Sequence, residues 1–242
     1  MKIFRYEITD STNTRAREYA REYGIDEPAV FIADGQTQGR GRKGRNFDSA
    51  RGAGLYISFL FRPQEDAGDA VFITVKAAVA TLRAIKSTFG LSVGIKWVND
   101  IFISDKKLAG ILAEGEFDRD GRLAYAVCGI GVNLLSREFP TELSDKVTTV
   151  EDNIAKKPDR EAFAKALIRE FFAQRDNAEI MDEYRRHSVI LGKRVEVTRL
   201  SGESFFALAE EITDTGALVV LREGGVREEL ISAEVSLNIR HG

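Results

Sequence analysis

Residues 39 to 45 read Gly39-Arg40-Gly41-Arg42-Lys43-Gly44-Arg45, four cations in seven positions with no carboxylate among them. Alternating glycine lets a backbone approach a ligand closely, and guanidinium forks offer planar, charge-assisted hydrogen bonds to phosphate or carboxylate oxygens. The run therefore has the chemistry of an anion clamp. Lacking a carboxylate of its own, it repels itself when empty, which predicts a flap ordered only by an arriving anion. Taken alone, it fits equally a solvated basic loop or an RGG-like nucleic-acid segment. Its place in the chain is just as informative: it joins two apolar segments, Ala29 to Ala33 and Gly54 to Phe61, both of which read as strands.

Upstream, Lys2 to Ile8 alternates like a strand, and Asp10-Ser11-Thr12-Asn13 offers a helix N-cap ahead of a short helix from Arg15 to Tyr23, ended by Gly24. Downstream, Val71, Phe72, Val75, Val79, Leu82, Ile85 and Phe89 recur at three- and four-residue spacing, predicting a long amphipathic helix over 69–89. Strands are expected at about 91–97, 100–104, 107–117 and 123–134, then loop or short turns over 136–158, which holds Pro140 and Pro158. Helices resume at Phe163 to Phe172 and continue through Ile180 to Tyr184. After Val189 five short segments, 194–198, 204–212, 217–221, 226–231 and 235–239, with turns between them, have the pattern of a small β-barrel. These readings divide the chain into residues 1–187 and 188–242.

Composition removes several classes of chemistry. A chain of 242 residues with 43% hydrophobic content can bury a full core, and a net charge of -3 gives no general grip on a nucleic-acid backbone. No DNA partner is expected. There is no signal-like start and no apolar stretch of membrane-spanning length, so the expected location is the cytoplasm, with no membrane partner. The single cysteine, Cys128, lies in a strand-like run and reads as a core thiol, while His187 and His241 are remote from the motifs. A Cys-His or Ser-His-Asp mechanism has little to work with, and a cysteine-histidine zinc site is excluded by count. The chemistry must rest on arginine, lysine, carboxylate and bound metal.

Two further motifs supply such groups: Lys96-Trp97-Val98-Asn99-Asp100, and Lys107-Leu108-Ala109-Gly110. Strand period two places Lys107, Ala109, Ile111 and Ala113 on one face, so Lys107 is expected among small residues that leave room for a ligand. Singly, Lys96 and Lys107 read as solvated and Asn99-Asp100 as a plain turn. Together they bring an amide and a carboxylate beside a cationic pair where a nucleotide or its Mg²⁺ would sit.

These motifs, with Ser11-Thr12-Asn13, Gln36 through Arg45, and Gly129-Ile130-Gly131-Val132-Asn133, give the chain a resemblance to the biotin protein ligases, in their order and spacing across residues 1 to about 135. The resemblance implies an α/β (α+β) catalytic domain related to class II synthetases and lipoate ligases, a mixed sheet flanked by helices, followed by an SH3-like barrel. It implies ATP with Mg²⁺, biotin as the acid substrate, a biotinyl-5'-AMP intermediate, and a biotin carboxyl carrier protein as acceptor through a lysine; a homodimer is a further expectation. Carried over, Ser11, Thr12, Asn13 and Gln36 would hold the ureido ring, Gly39, Arg40, Gly41 and Arg42 would wrap the ligand, and Lys107 would grip carboxylate and phosphate. Arg42, Arg45, Lys96, Asn99, Asp100 and Asn133 would face the nucleotide, with Arg40, Lys107 and Asp100 as the catalytic set.

Two positions depart from the family pattern: Val98 where proline is usual, relaxing the φ constraint before Asn99, and Phe47 where tryptophan is common, keeping an aromatic platform without an indole donor. Nothing precedes the first strand, so no winged DNA-binding domain is expected and the activity should be ligation alone. The nearest rival reading is a ligase for lipoate, which polar Ser11, Thr12 and Gln36 disfavour because an apolar ring would leave them unpaired. A nucleic-acid-binding module is the rival from another class.

Overall fold

The computed structural model describes residues 1–63, 70–120 and 122–237. Asp69, at the expected helix start, Asn238 and Ile239, at the expected end of the last strand, and His241 lie outside the described residues. The chain runs β1 (Lys2–Thr9), α1 (Thr12–Tyr23), β2 (Ala29–Gln36), β3 (Gly54–Phe61), α2 (Ala70–Phe89), β4 (Gly94–Lys96), β5 (Asp100–Ile103), β6 (Lys106–Phe117) and β7 (Leu123–Asn133). These strands form one sheet in the order β1-β2-β3-β7-β6-β5-β4. β1 and β2 are parallel, joined by α1 as the crossover, and the remaining pairs are antiparallel, so the sheet is mixed.

Side chains alternate across that sheet, and the two faces have different jobs. One face carries Ile57, Phe59, Ile130 and Val132 into the main core, sealed by α2 and by α4 (Arg160–Phe172). The other carries Phe31, Leu60 and Val127 under Ala16 and Ala20 of α1. Farther along this second face stand Tyr56, Ser58, Gly129 and Gly131; the first turn of α1 reaches Ser58 and Gly129 through Thr12 and Asn13, and the site forms beyond it.

Between the sheet and the C-terminal unit lie a short helix, α3 (Thr141–Ser144), then α4 and α5 (Asn177–Arg186). Asp159 and Asp176 start α4 and α5, their carboxylates accepting from Ala162 N at 2.9 Å and Ala178 N at 2.8 Å. The helices expected at Phe163 to Phe172 and on through Ile180 to Tyr184 are these two, separated where Asp176 caps the second. α1 likewise begins at Thr12, three residues before the expected start, with Ser11 in extended backbone as its N-cap. The strand expected over 91–97 shrinks to Gly94–Lys96.

The C-terminal unit is a five-stranded antiparallel sheet, β8 (Arg194–Thr198), β9 (Ser204–Ile212), β10 (Leu218–Arg222), β11 (Arg227–Leu230) and β12 (Glu234–Leu237), ordered β11-β10-β9-β8-β12. Among the described residues β11 and β12 do not pair, so the barrel-like sheet is left open. Its β9–β10 turn plugs into the first unit: Trp97 Nε1 donates to Gly216 O at 2.9 Å, and Arg185 Nε to Ile212 O at 2.7 Å. Gly216 needs to be glycine there, since its φ is 86° and a Cβ would meet Val71 Cγ1 at 2.9 Å.

Phe171 of α4 stacks on Phe59 of β3 with centroids 3.9 Å apart and an angle of 7°, at the centre of the packed face. Phe171→Ala is expected to cost about 3–5 kcal/mol through lost burial and the cavity left behind, read as a lower urea midpoint at unchanged m-value. A loss under about 1 kcal/mol would mean that α4 is not seated on the sheet in this way.

Candidate active site

Glycine builds the floor. Gly110 of β6 and Gly131 of β7 are register partners, and Gly129 pairs with Leu112. A Cβ at Gly131 would meet Phe47 Cε1 at 2.5 Å, one at Gly110 would meet Phe47 Cε2 at 3.2 Å, and one at Gly129 would meet Asn13 Oδ1 at 2.1 Å. Side chains are absent so that Phe47 and Asn13 can lie directly on the sheet. The result is a cavity of about 340 Å³ between the floor, the residue 39–47 loop and β12.

At one end the groups are neutral and polar. Ser11, Thr12 and Asn13 are buried in the first turn of α1. Gln36 Oε1 accepts from Thr12 N at 2.8 Å and Thr12 Oγ1 at 3.1 Å, while Gln36 Nε2 donates to Ser49 Oγ at 2.9 Å. Ser58 Oγ lies 2.7 Å from Thr12 Oγ1 and 2.6 Å from Asn13 Oδ1. This fixes the Asn13 amide, whose Nδ2 then donates to Glu114 Oε2 at 2.8 Å. A network so interlocked holds its amides and hydroxyls in fixed orientations facing the cavity, where a polar ring can meet them.

The other end is cationic. Lys107 Nζ sits 2.7 Å from Asp100 Oδ1, an ion pair whose geometry gives that oxygen no directed hydrogen bond. Lys96 stands beside it, its ammonium brought below the usual lysine range mainly by burial, and its Nζ is 5.2 Å from the centre of the Phe102 ring. Burial likewise lowers Arg42, whose Nη1 donates to Asn99 Oδ1 at 3.1 Å and Nη2 to Ser232 Oγ at 3.2 Å. Asn99 is held in turn, Nδ2 donating to Ile111 O at 2.9 Å. Tyr184 Oη donates to Val98 O at 2.9 Å, fixing the turn, and the Trp97–Val98 peptide is cis.

The clamp closes on itself as a tight hairpin, with Gly41 N donating to Arg45 O at 2.7 Å and Arg40 bridged to Asn46. Its cations are matched from elsewhere in the chain: Arg40 by Glu114 at 3.1 Å, Lys43 and Arg45 by Glu234 at 3.4 and 2.5 Å. Burial pushes Glu234 up, but Arg45 and Lys43 outweigh it and hold the carboxyl below the usual range. The expectation of a loop whose charges have nothing to meet until an anion arrives is thereby corrected, because the partners come from β6 and from β12, remote in sequence. Gly39 is wedged where a Cβ would meet Phe47 O at 2.3 Å.

The face assigned to Lys107 is also corrected. Ile101 pairs with Ala109 but Phe102 pairs with Lys107, so Leu108 is an extra residue in β6, a β-bulge. Leu108 and Ala109 both enter the main core, and Lys107 emerges with Gly110, its Nζ 3.2 Å from where a Gly110 Cβ would be. Ser11, Thr12, Asn13, Gln36, Arg40, Gly41, Arg42, Arg45, Lys96, Asn99, Asp100 and Lys107 line one cavity. Asn133 stands apart from it, Nδ2 donating to Thr148 O at 3.3 Å. Reading the sequence missed Ser58, Ser49, Glu114, Ser232 and Glu234. Ser58 had a signal, a lone hydroxyl in an apolar strand; Ser232 and Glu234 had none. Cys128 is buried, with its thiol raised by that burial, as a core residue should be.

Comparisons with known proteins agree with this architecture. Residues 6–133 match the biotin/lipoate A/B protein ligase family, and residues 190–238 match the biotin protein ligase C terminal domain. The chain is 32% identical over 238 residues to a biotin--[acetyl-CoA-carboxylase] ligase of Paracoccus denitrificans, covering 94% of this chain and 97% of that protein. It is 30% identical over 239 residues to the bifunctional ligase/repressor BirA of Bacillus spizizenii, covering 96% of this chain and 72% of BirA. A solved biotin protein ligase from Aquifex aeolicus, in complex with biotin and ATP, superposes with a TM-score of 0.81 at 26% identity, covering 97% of each chain. Motifs, fold and relatives coincide, and the chain belongs to the biotin/lipoate A/B protein ligase family as a biotin protein ligase.

Proposed function

We propose that this chain activates biotin with ATP to biotinyl-5'-AMP and then transfers the biotinyl group to a lysine of a biotin carboxyl carrier protein. The observation that carries the proposal is a single cavity with a neutral polar cluster at one end and Lys96, Lys107 and Arg42 at the other. Ser11, Thr12, Asn13 and Gln36 hold the ureido ring, whose carbonyl and N–H groups match them; an apolar dithiolane would offer this cluster no hydrogen bonds. The tail crosses the glycine floor beneath the clamp and delivers its carboxylate to Lys107.

In the first step a biotin carboxylate oxygen attacks the α-phosphorus of ATP, the bond to the bridging oxygen breaks, and pyrophosphate leaves. Two anions have to approach, and Lys107, Arg40 and Arg42 offset their repulsion as charge builds on the α-phosphate. Asn99, Asp100, Lys96 and Arg45 serve the nucleotide side, and the clamp shields the mixed anhydride from water. In the second step the neutral ε-amine of the acceptor lysine attacks the anhydride carbonyl, loses a proton, and AMP departs. No enzyme nucleophile is required.

Among the described residues no three His, Cys, Asp or Glu side chains cluster as a metal cage. Asp100, a carboxylate at the cationic end of the cavity, suits a Mg²⁺ held chiefly by the nucleotide's own phosphates. That ion would supply charge neutralisation at the phosphates.

The division at residues 187 and 188 fits the end of α5 at Arg186 and the start of β8 at Arg194. No DNA partner belongs to this reading, since the clamp's cations are matched by Glu114 and Glu234. Among the described residues no helix is long and apolar enough to cross a membrane, and a cytoplasmic location is part of the reading. So is a homodimer through the sheet, supported by the exposed Ile3 and Ile8 on edge strand β1.

Pyrophosphate exchange into ATP is expected with biotin and not with lipoate; exchange with lipoate alone would overturn the substrate assignment. Lys107→Ala and Arg42→Ala are each expected to slow single-turnover adenylate formation by about 10²-fold. Adenylate made at the parental rate by either variant would remove that residue from the mechanism.

A further inference from the structure

Glu114 faces the second side of the sheet in β6 and is gripped from two directions. Asn13 Nδ2 fixes one side of it, donating to Glu114 Oε2 at 2.8 Å and also to Leu112 O at 3.4 Å. On the same helix, one turn later, Arg17 Nη1 lies 3.5 Å from Glu114 Oε1. The clamp's first arginine meets that same oxygen, Arg40 Nη2 at 3.1 Å. One carboxylate thus joins the buried cluster that receives the ring to the base of the loop that covers the ligand.

We propose that Glu114 is a positioning residue that couples recognition of the acid by Asn13 to the placement of Arg40 over the bound adenylate. The inference rests on the function proposed above. The Asn13 amide is oriented by Ser58 at one atom and by Glu114 at the other, so a ligand that settles against it also settles Glu114, which has Arg40 on its other oxygen. Arg40 is partly exposed, and its hairpin is fastened elsewhere through Arg42 to Asn99 and Ser232 and through Lys43 and Arg45 to Glu234. Without Glu114 the Arg40 guanidinium loses the carboxylate that holds it in place.

Glu114→Gln keeps an oxygen that accepts from Asn13 while removing the charge that holds Arg40 and Arg17. Biotin affinity by calorimetry should stay within about twofold, and the preformed adenylate should escape about three- to fivefold faster in a chase, as fits a partly exposed ion pair. Glu114→Ala should add a loss of about five- to tenfold in biotin affinity, because the Asn13 donor is left unpaired. In a double-mutant cycle, Arg40→Gln combined with Glu114→Gln should release adenylate no faster than Arg40→Gln alone. A purely structural role would lower the melting temperature and give multiplying effects on release. Release at the parental rate in Glu114→Gln, or effects that multiply in the double variant, overturns the coupling; if Glu114→Ala fails to fold, the glutamine variant decides. Absence of biotin-dependent exchange in the unaltered chain would instead sink the proposed function, and this inference with it.

Discussion

A cavity that must receive two anions has to survive without them, and that constraint organises the site. Lys107, Arg40, Lys43 and Arg45 cannot crowd together bare, so each is matched by a carboxylate: Asp100, Glu114 or Glu234. The partners come from β5, β6 and β12, three strands in two sheets. Such pairs are only partly buried, and exposed ion pairs are worth about 0–1 kcal/mol each. An incoming carboxylate and triphosphate, which bring more negative charge and several acceptor oxygens, can therefore take over these cations at small cost. Arg42 is the exception. It is half-buried and bonded to neutral Asn99 and Ser232, so its charge is left for the ligand.

A second constraint is that one sheet has to serve a core and a site at once. Along β7 the alternation is strict: Cys128, Ile130 and Val132 go to the core, while Gly129 and Gly131 go to the site. Along β6 strict alternation would bury Lys107 with Ala109 and Ile111, where its charge would be unpaid for by any partner. The bulge at Leu108 resolves the conflict. It lets two successive apolar residues enter the core and turns Lys107 onto the glycine side, the kind of local re-aiming for which bulges recur beside active sites.

The sequence made the local features legible and left the remote ones hidden. Period two in Gly54 to Phe61 and the three-four spacing from Val71 to Phe89 each rest on neighbouring residues, so β3 and α2 were readable. The Gly-Arg run could be recognised as a clamp from its own residues. What balances its charge could not, because Glu234 lies almost two hundred positions later and in isolation is one acidic residue in a short strand. Lys107 was assigned the wrong face for a related reason: a bulge is a property of two strands paired together, and nothing within Lys107 to Gly110 announces it. Asn133 belonged to a matching motif, yet it bonds to Thr148 beyond the cavity, since motif membership fixes a residue's place on a strand and not the direction of its amide.

The C-terminal sheet bears on the site through two separate contacts. Gly216, in its β9–β10 turn, accepts from Trp97, which sits one residue after Lys96 and two before Asn99. At its other end Ser232 and Glu234 meet Arg42, Lys43 and Arg45 of the clamp. The nucleotide turn and the loop above it are thus referred to the same rigid body, although they lie more than fifty residues apart in sequence. Lys96 and Asp100 are themselves strand residues of the larger sheet, so the C-terminal sheet adds its contacts to a turn whose place is already set by β4 and β5. Gly216 packs against Val71 so closely that even a methyl group would not fit, which fixes where the β9–β10 turn meets Trp97.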